Sequence, residues 1–339
     1  MKRLPAAQRT AYAVAAAGAM AQNVYLHCAS EGLATVIYLA KADPESAQRA
    51  MARYACFDHA AEDAQAYGYT ASFGLKGSCE DEVTQVLREM SRRAAAAPPA
   101  SHPDRDEAFH AQQNACLVRN AEEYYRTMVQ ARVSSWNLRD RRMVESLVAL
   151  VALVALVALV ALDKRFATAG TPPRIALWAH NSHLGDASAT EMGDCGEWNV
   201  GRLVRDRCAF DAVLVGFSNH HGRVTAASNG DELPQRQRVR AGLPGSWENV
   251  FHRTGTPRFL LPLRDDSALR ALVASPRLQL AIGVIYRADT ERQSHYFHTH
   301  LNQQFDAVVH IDATSALEPL DVGEAWIDRE APETFPSGI

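Results

Sequence analysis

A chain of 339 residues can hold one large domain or two ordinary ones, and 47% apolar with 22% charged residues describes a globular protein with a sizeable core. The formal net charge of -4 at pH 7 gives no reason to expect a nucleic-acid partner. Six cysteines (Cys28, Cys56, Cys79, Cys116, Cys195, Cys208) are scattered with no Cys-x-x-Cys pair, which argues against a disulfide framework or a zinc knuckle.

The chain opens Met1-Lys2-Arg3, but Gln8, Arg9, Gln22 and Asn23 make the following stretch too polar for the apolar region of a signal peptide. Together with the cysteine usage, this makes a cytoplasmic protein the expectation. Residues 4 to about 42 read as helix, short link and apolar run, with Val14, Met20, Val24 and Tyr25 at helical spacings and Gly32 as a C-cap. The segment from Ala16 through Gln22-Asn23 to Gly32-Leu33 and Thr35 resembles the helix near the C-terminal end of nitroreductase-family flavoproteins. That resemblance implies a fragment over residues 1–45. It brings no phosphate-binding arginines for a flavin, so no cofactor is expected.

Residues from about 49 to 145 read as mostly helical. Val83, Val86 and Leu87 mark the apolar face of a helix from Glu80 to Met90, and an Ala- and Pro-rich link follows from Ala94 to Pro103. A second long helix is expected from about Asp106 to Val129. Residues 147–162 are Leu-Val-Ala five times over, then Leu162. A period of three paints no fixed face on a helix or a strand. These sixteen apolar residues would span roughly 24 Å as a helix, short of a hydrocarbon core of about 30 Å. A membrane span is therefore not expected.

After the Gly170-Thr171-Pro172-Pro173 turn the pattern alternates. Candidate strands are Ile175–Ala179, Ala212–Phe217, Arg223–Ala227, Phe259–Leu263, Ala281–Tyr286 and Ala307–Ile311, with helices from Asn199 to Arg207, Trp247 to His252 and Ser267 to Val273. The expected fold class is α/β: a largely parallel sheet with flanking helices, preceded by a helical N-terminal portion.

The densest chemistry lies at Trp178-Ala179-His180-Asn181-Ser182-His183-Leu184-Gly185-Asp186. A short apolar run there ends in two histidines, an asparagine and an aspartate, as a core strand does when it carries polar groups to its carboxyl end. Imidazoles titrating near neutrality can take a proton from water and return it to a leaving group, so His180 and His183 are the catalytic candidates. A His-x-x-His pair can also hold metal, but no third ligand stands at a fixed spacing, and no metal is expected. The bland alternative is a pair of histidines bonding around a turn. Ser134-Ser135-Trp136-Asn137-Leu138-Arg139-Asp140 offers Arg139 as a carboxylate anchor or, more simply, Asn137 as a helix cap. Arg287 and His295, in the stretch from Tyr286 to His298, line either a cleft or a solvated loop. No Gly-x-Ser-x-Gly elbow, P-loop or dinucleotide fingerprint occurs, which removes support for serine-hydrolase and nucleotide readings.

Tyr54-Ala55-Cys56-Phe57-Asp58-His59, Asn120 to Tyr125, Ser135 to Met143, Trp178 to His183 and Ile285 to Phe297, in that order, resemble the erythromycin esterase family. The resemblance runs from about residue 49 to 320 and implies a domain over 49–325. It also implies an α/β fold with a helical portion and hydrolysis of a macrolide lactone-type ester by histidine-activated water, without a required metal. His180 and His183 match the two histidines of the family's Ala-His-Asn-x-His motif, with Asn181, Arg139, Arg287 and His295 as substrate-binding candidates. The family's Gly-Glu-x-x-His-Gly motif is absent from this sequence, which implies an incomplete site and impaired activity. The expected partner is a small-molecule ester. The alternatives are a flavin-dependent oxidoreductase fragment or a non-catalytic remnant.

Overall fold

The computed structural model describes residues 33–60, 64–75, 77–96, 103–128, 136–149, 176–229 and 234–317. It divides into two units, Met1–Trp178 and Ala179–Ile339. Most of the nitroreductase-like stretch, Leu-Val-Ala residues 150–162 and the Ser134-Ser135 pair lie outside the described residues.

The first unit is helical. The helix Pro44–Tyr54 starts where it does because the Asp43 carboxylate accepts the Ser46 amide at 3.2 Å and Pro44 occupies the first helical position. The helix Glu80–Ala95 opens with Glu80, Asp81 and Glu82 and closes with Arg92 and Arg93, each sign set against the helix dipole that favours it. Its buried face is Val83, Val86 and Met90, at the spacing that stacks side chains on one side. It packs on the helix Pro103–Met128, whose Ala111, Ala115 and Val118 are small enough to let the two axes close. Leu39, from the helix Leu33–Ala42, joins the same core as Tyr54, Phe57 and Tyr67. Thr35 ties that helix to the long one, its hydroxyl donating to the Ala111 carbonyl at 3.0 Å. A further helix covers residues 136–149.

Cys56 and Cys79 form a disulfide, where scattered spacing had argued against one. Their 23-residue separation gave no cue, because the pairing depends on the chain folding back between Tyr54 and Glu80. The Tyr67 hydroxyl accepts the Cys79 amide at 2.9 Å and donates to Glu122 at 2.9 Å, fixing that return. Glu122 is 2% exposed, and Arg126 balances its charge with Nε at 2.9 Å. Among the described residues, no helix is long and apolar enough to cross a membrane.

The second unit is built of short pieces. β1 (Val215–Ser218) pairs parallel with β7 (Ala307–Ile311), and β4 (Arg258–Pro262) pairs antiparallel on the other side of β7. β3 (Gln235–Val239), β2 (His221–Ala226) and β8 (Ala313–Thr314) form a second sheet in that order. β5 (Arg277–Leu280) and β6 (Tyr296–Thr299) make an antiparallel pair. The α/β class and the helical N-terminal portion hold. The expectation of a largely parallel sheet does not, because three of the five described pairings are antiparallel. Helices of four to nine residues replace the long crossovers that parallel pairing requires.

The core of this unit is Leu214, Trp247, Phe251, Leu263, Leu301, Phe305 and Val308. Asp306 organises it from within. Its carboxylate accepts the Leu214 amide at 2.7 Å and meets Arg205 and Arg264 at 3.0 and 3.1 Å. Two expected strands are corrected. Residues 176–180 belong to no strand, and Ala281–Tyr286 makes only the isolated bridge from Ile285 to Ala227. β3, β5 and β6 were not expected: Gln235-Arg236-Gln237-Arg238 is too polar to read as a strand, and β5 and β6 are strands through their mutual pairing.

Candidate functional site

The candidate site is a single tight turn. His180 has extended backbone and caps the one-turn helix Asn181–Leu184, its Nδ1 accepting the Ser182 amide at 3.2 Å. The Ser182 hydroxyl lies 2.8 Å from the same nitrogen. His180 Nε2 lies 2.9 Å from the Ile282 carbonyl, so this nitrogen carries the proton and Nδ1 is the acceptor. Burial, with the neighbouring His183 charge as the second cause, lowers the His180 pKa from 6.5 to about 4. The imidazole is therefore neutral at physiological pH, and both its nitrogens are engaged.

Asn181 works as a clamp. Its Nδ2 donates to the Phe217 carbonyl at 2.6 Å, and its Oδ1 accepts the Phe217 amide at 3.1 Å. The side-chain amide thus supplies β1 with the two bonds a neighbouring strand would give. The far end of the turn hangs on Asn199, 4% exposed, whose Nδ2 donates to the Ser182 and Gly185 carbonyls. Asn199 Oδ1 accepts the Ala187 amide at 3.3 Å and the Arg202 amide at 3.0 Å, capping the helix Val200–Cys208. That helix comes so close that a Cβ on Gly201 would sit 2.3 Å from the Leu184 carbonyl oxygen. His183, half-buried, rides on a turn held from three directions.

The other expected residues are placed as follows. Arg287 donates its amide to His295 Nε2 at 3.0 Å, its Nε to the Ser228 carbonyl at 2.9 Å and its Nη2 to Asn229 at 3.0 Å. His295 is buried, and burial pushes its pKa below 6.5. In this conformation the pair holds a loop together. Arg139 belongs to the first unit, where its guanidinium lies 4.2 Å over the Trp136 ring with Nε 3.5 Å from Asp140. Asn199 carries no sequence signal of this role, because an asparagine before a helix looks like an ordinary cap. The consecutive pair His220-His221 is a signal visible in the sequence that the site expectation did not include.

The erythromycin esterase family profile matches residues 22–314, most of the chain. The chain belongs to the erythromycin esterase family. The match begins upstream of residue 49, where the motif resemblance started, and so takes in part of the stretch that resembled a nitroreductase. Three solved structures share the fold. A succinoglycan biosynthesis protein superposes with a TM-score of 0.62 at 16% identity, over 83% of this chain and 61% of that one. A Bacillus cereus protein gives 0.64 at 13% identity, over 83% and 62%. An erythromycin esterase histidine-to-asparagine mutant in its open conformation gives 0.55 at 14% identity, over 88% and 68%. The chain thus spans about three fifths of the length of the first two.

Proposed function

We propose that this chain is a carboxylic-ester hydrolase of the erythromycin esterase type, acting on a macrolide lactone-type ester through a histidine-activated water. The observation that carries the reading is the three-way pinning of the His180–His183 turn by Ile282, Phe217 and Asn199. A general base must be held within hydrogen-bond reach of its water, and pinning from distant segments achieves that without ordering on binding. The two histidines are assigned different roles. His180, neutral and bonded at both nitrogens, sets the turn, while His183, half-buried three residues on, takes the proton from water. Such a base contributes about 10²- to 10⁴-fold in rate.

A second reading has its own observation. Both nitrogens of His180 are already committed, as in a turn that binds a ligand without turning it over. Mass spectrometry of purified protein with a macrolide separates the two. Ring opening by addition of one water, lost in His183→Ala with the thermal transition intact, supports the hydrolase. Turnover no higher in the wild type than in a His180→Ala, His183→Ala double variant overturns it. A thermal midpoint raised by macrolide without turnover then favours the binding reading.

A further inference from the structure

We propose that His220, His221 and Asp312 form a binding site for one transition-metal dication of the zinc, cobalt, nickel and copper group. This site is separate from the His180–His183 turn and does not depend on the hydrolase reading. One ligand atom from each of the three residues lies within 4.8 Å of the others. His220 Nδ1 and His221 Nδ1 are 3.1 Å apart. Two imidazole nitrogens bound to one tetrahedral ion at ~2.0–2.1 Å stand about 3.3 Å apart, so the pair already has a chelating separation.

Consecutive residues of a strand point to opposite faces, and two adjacent histidines would ordinarily diverge. Here the backbone defeats that alternation. His220 sits in a bend before β2, and Gly222 takes φ +134°, with its Cα so close to β8 that a Cβ would lie 2.2 Å from the Thr314 carbonyl oxygen. The Asp312 carbonyl accepts the amides of both His220 and His221, at 3.1 and 3.0 Å. The residue that supplies the carboxylate therefore also holds the two histidines. Gly242 donates to the His220 carbonyl at 2.9 Å and leaves only 3.0 Å between its would-be Cβ and His220 Cδ2. The three ligands are fixed by main chain.

Their surroundings resemble the outer shell that metal ligands need. His252 Nδ1 lies 2.8 Å from Asp312 Oδ1, which orients the carboxylate. The His252 ring stacks on His220 with centroids 3.8 Å apart and planes 4° from parallel, which fixes the imidazole. His310 Nε2 is 3.5 Å from the same Asp312 oxygen. Two nitrogens and one carboxylate oxygen suit zinc, copper and nickel rather than calcium or magnesium. Three protein ligands leave a fourth position, as in reactive zinc sites. His220 and His221, with His252, line a pocket of about 930 Å³ shared with Arg223, Arg238, Arg240 and Thr314, which gives a water or a small anion room to take that position. With metal at both Nδ1 atoms, the proton between them moves to Nε2 of the donor ring, so each neutral imidazole keeps one N–H.

The test uses the untagged full-length chain, stripped with chelator and dialysed against zinc chloride. One zinc per chain by elemental analysis is expected, together with visible ligand-field absorption when cobalt replaces zinc. His221→Gln, which keeps a polar side chain of similar reach, should weaken zinc binding by about tenfold or more with an unchanged circular dichroism spectrum. Asp312→Asn should do the same, and if it fails to fold, His221→Gln carries the comparison. His183→Ala should bind zinc as the wild type does. Absence of retained zinc, or retention by His221→Gln equal to wild type, overturns the proposal. So does loss of zinc in His183→Ala, which would move the metal to the other histidine pair.

Discussion

The two units solve the folding problem differently. The first runs on long amphipathic helices whose apolar faces merge into one core from Leu39 to Tyr125, with ion pairs such as Arg93–Asp43 at its rim. The second has short strands and one-turn helices, and buried polar side chains take over the work of directing the backbone. Asn199, Asp306 and Glu248 each receive main-chain amides from residues distant in sequence. The lesson is that the histidine turn belongs to the unit in which side chains, not regular elements, set the geometry. Polar deletions should therefore disturb the second unit as much as apolar ones disturb the first.

The sharpest way to break that comparison is an apolar deletion in the second unit. Phe305 is 1% exposed and lies against Gly216, where a Cβ would come within 2.8 Å of its ring. Phe305→Ala should destabilise by about 3–5 kcal/mol in a denaturant titration. A smaller loss would mean that polar bonds dominate that core. For the first unit, the disulfide is the corresponding cross-link. Cys56→Ser releases a 23-residue loop and should lower stability by about 3 kcal/mol, read as a shift in chemical unfolding of the helical unit.

The buried acid of the second unit supplies a pH signature. Burial raises the Glu248 pKa from 4.5 to about 7. The unfolded chain therefore loses this proton first, and stability falls as pH rises from 4.5 towards 7, by roughly 3 kcal/mol in all. His180 works in the opposite sense. Its pKa is lowered from 6.5 to about 4, so its contribution is full above 6.5 and is lost as pH falls towards 4. The two slopes oppose each other between 4.5 and 6.5. Glu248→Gln should unmask a stability that rises with pH in that window, measured by denaturant titration at several pH values. An unchanged profile would show that Glu248 is not the group responsible.

The smallest change in stability with the largest functional reach is expected at Asn199. Asn199→Ala leaves the Ser182 and Gly185 carbonyls unbonded and should cost about 1–3 kcal/mol. If the turn is the hydrolytic site, ester turnover should fall far more than stability does. Equal losses would make Asn199 structural only.

Much of this was legible in the chain. The helix Trp247–His252 and the strand Ala307–Ile311 fall where the sequence pattern put them, because Ser246 caps the first and Val308, Val309 and Ile311 give the second its β-branched content. The His180-Asn181-Ser182-His183 string was visible as a cluster. Its state was not, since neither the Ile282 carbonyl at His180 nor the Phe217 backbone at Asn181 is near in sequence. β5 escaped notice because Arg277-Leu278-Gln279-Leu280 becomes a strand only through its pairing with Tyr296–Thr299.

The sequence by itself determined the element types wherever local chemistry suffices: caps, apolar helix faces, β-branched runs and the motif order of an erythromycin esterase relative. Tertiary structure alone decided strand direction, the Cys56–Cys79 bond, the neutral and doubly bonded state of His180, and the convergence of His220, His221 and Asp312. The physical reason is range. Propensity and capping act within a turn or two of chain, whereas desolvation, pairing and the meeting of ligands depend on segments that only folding brings together.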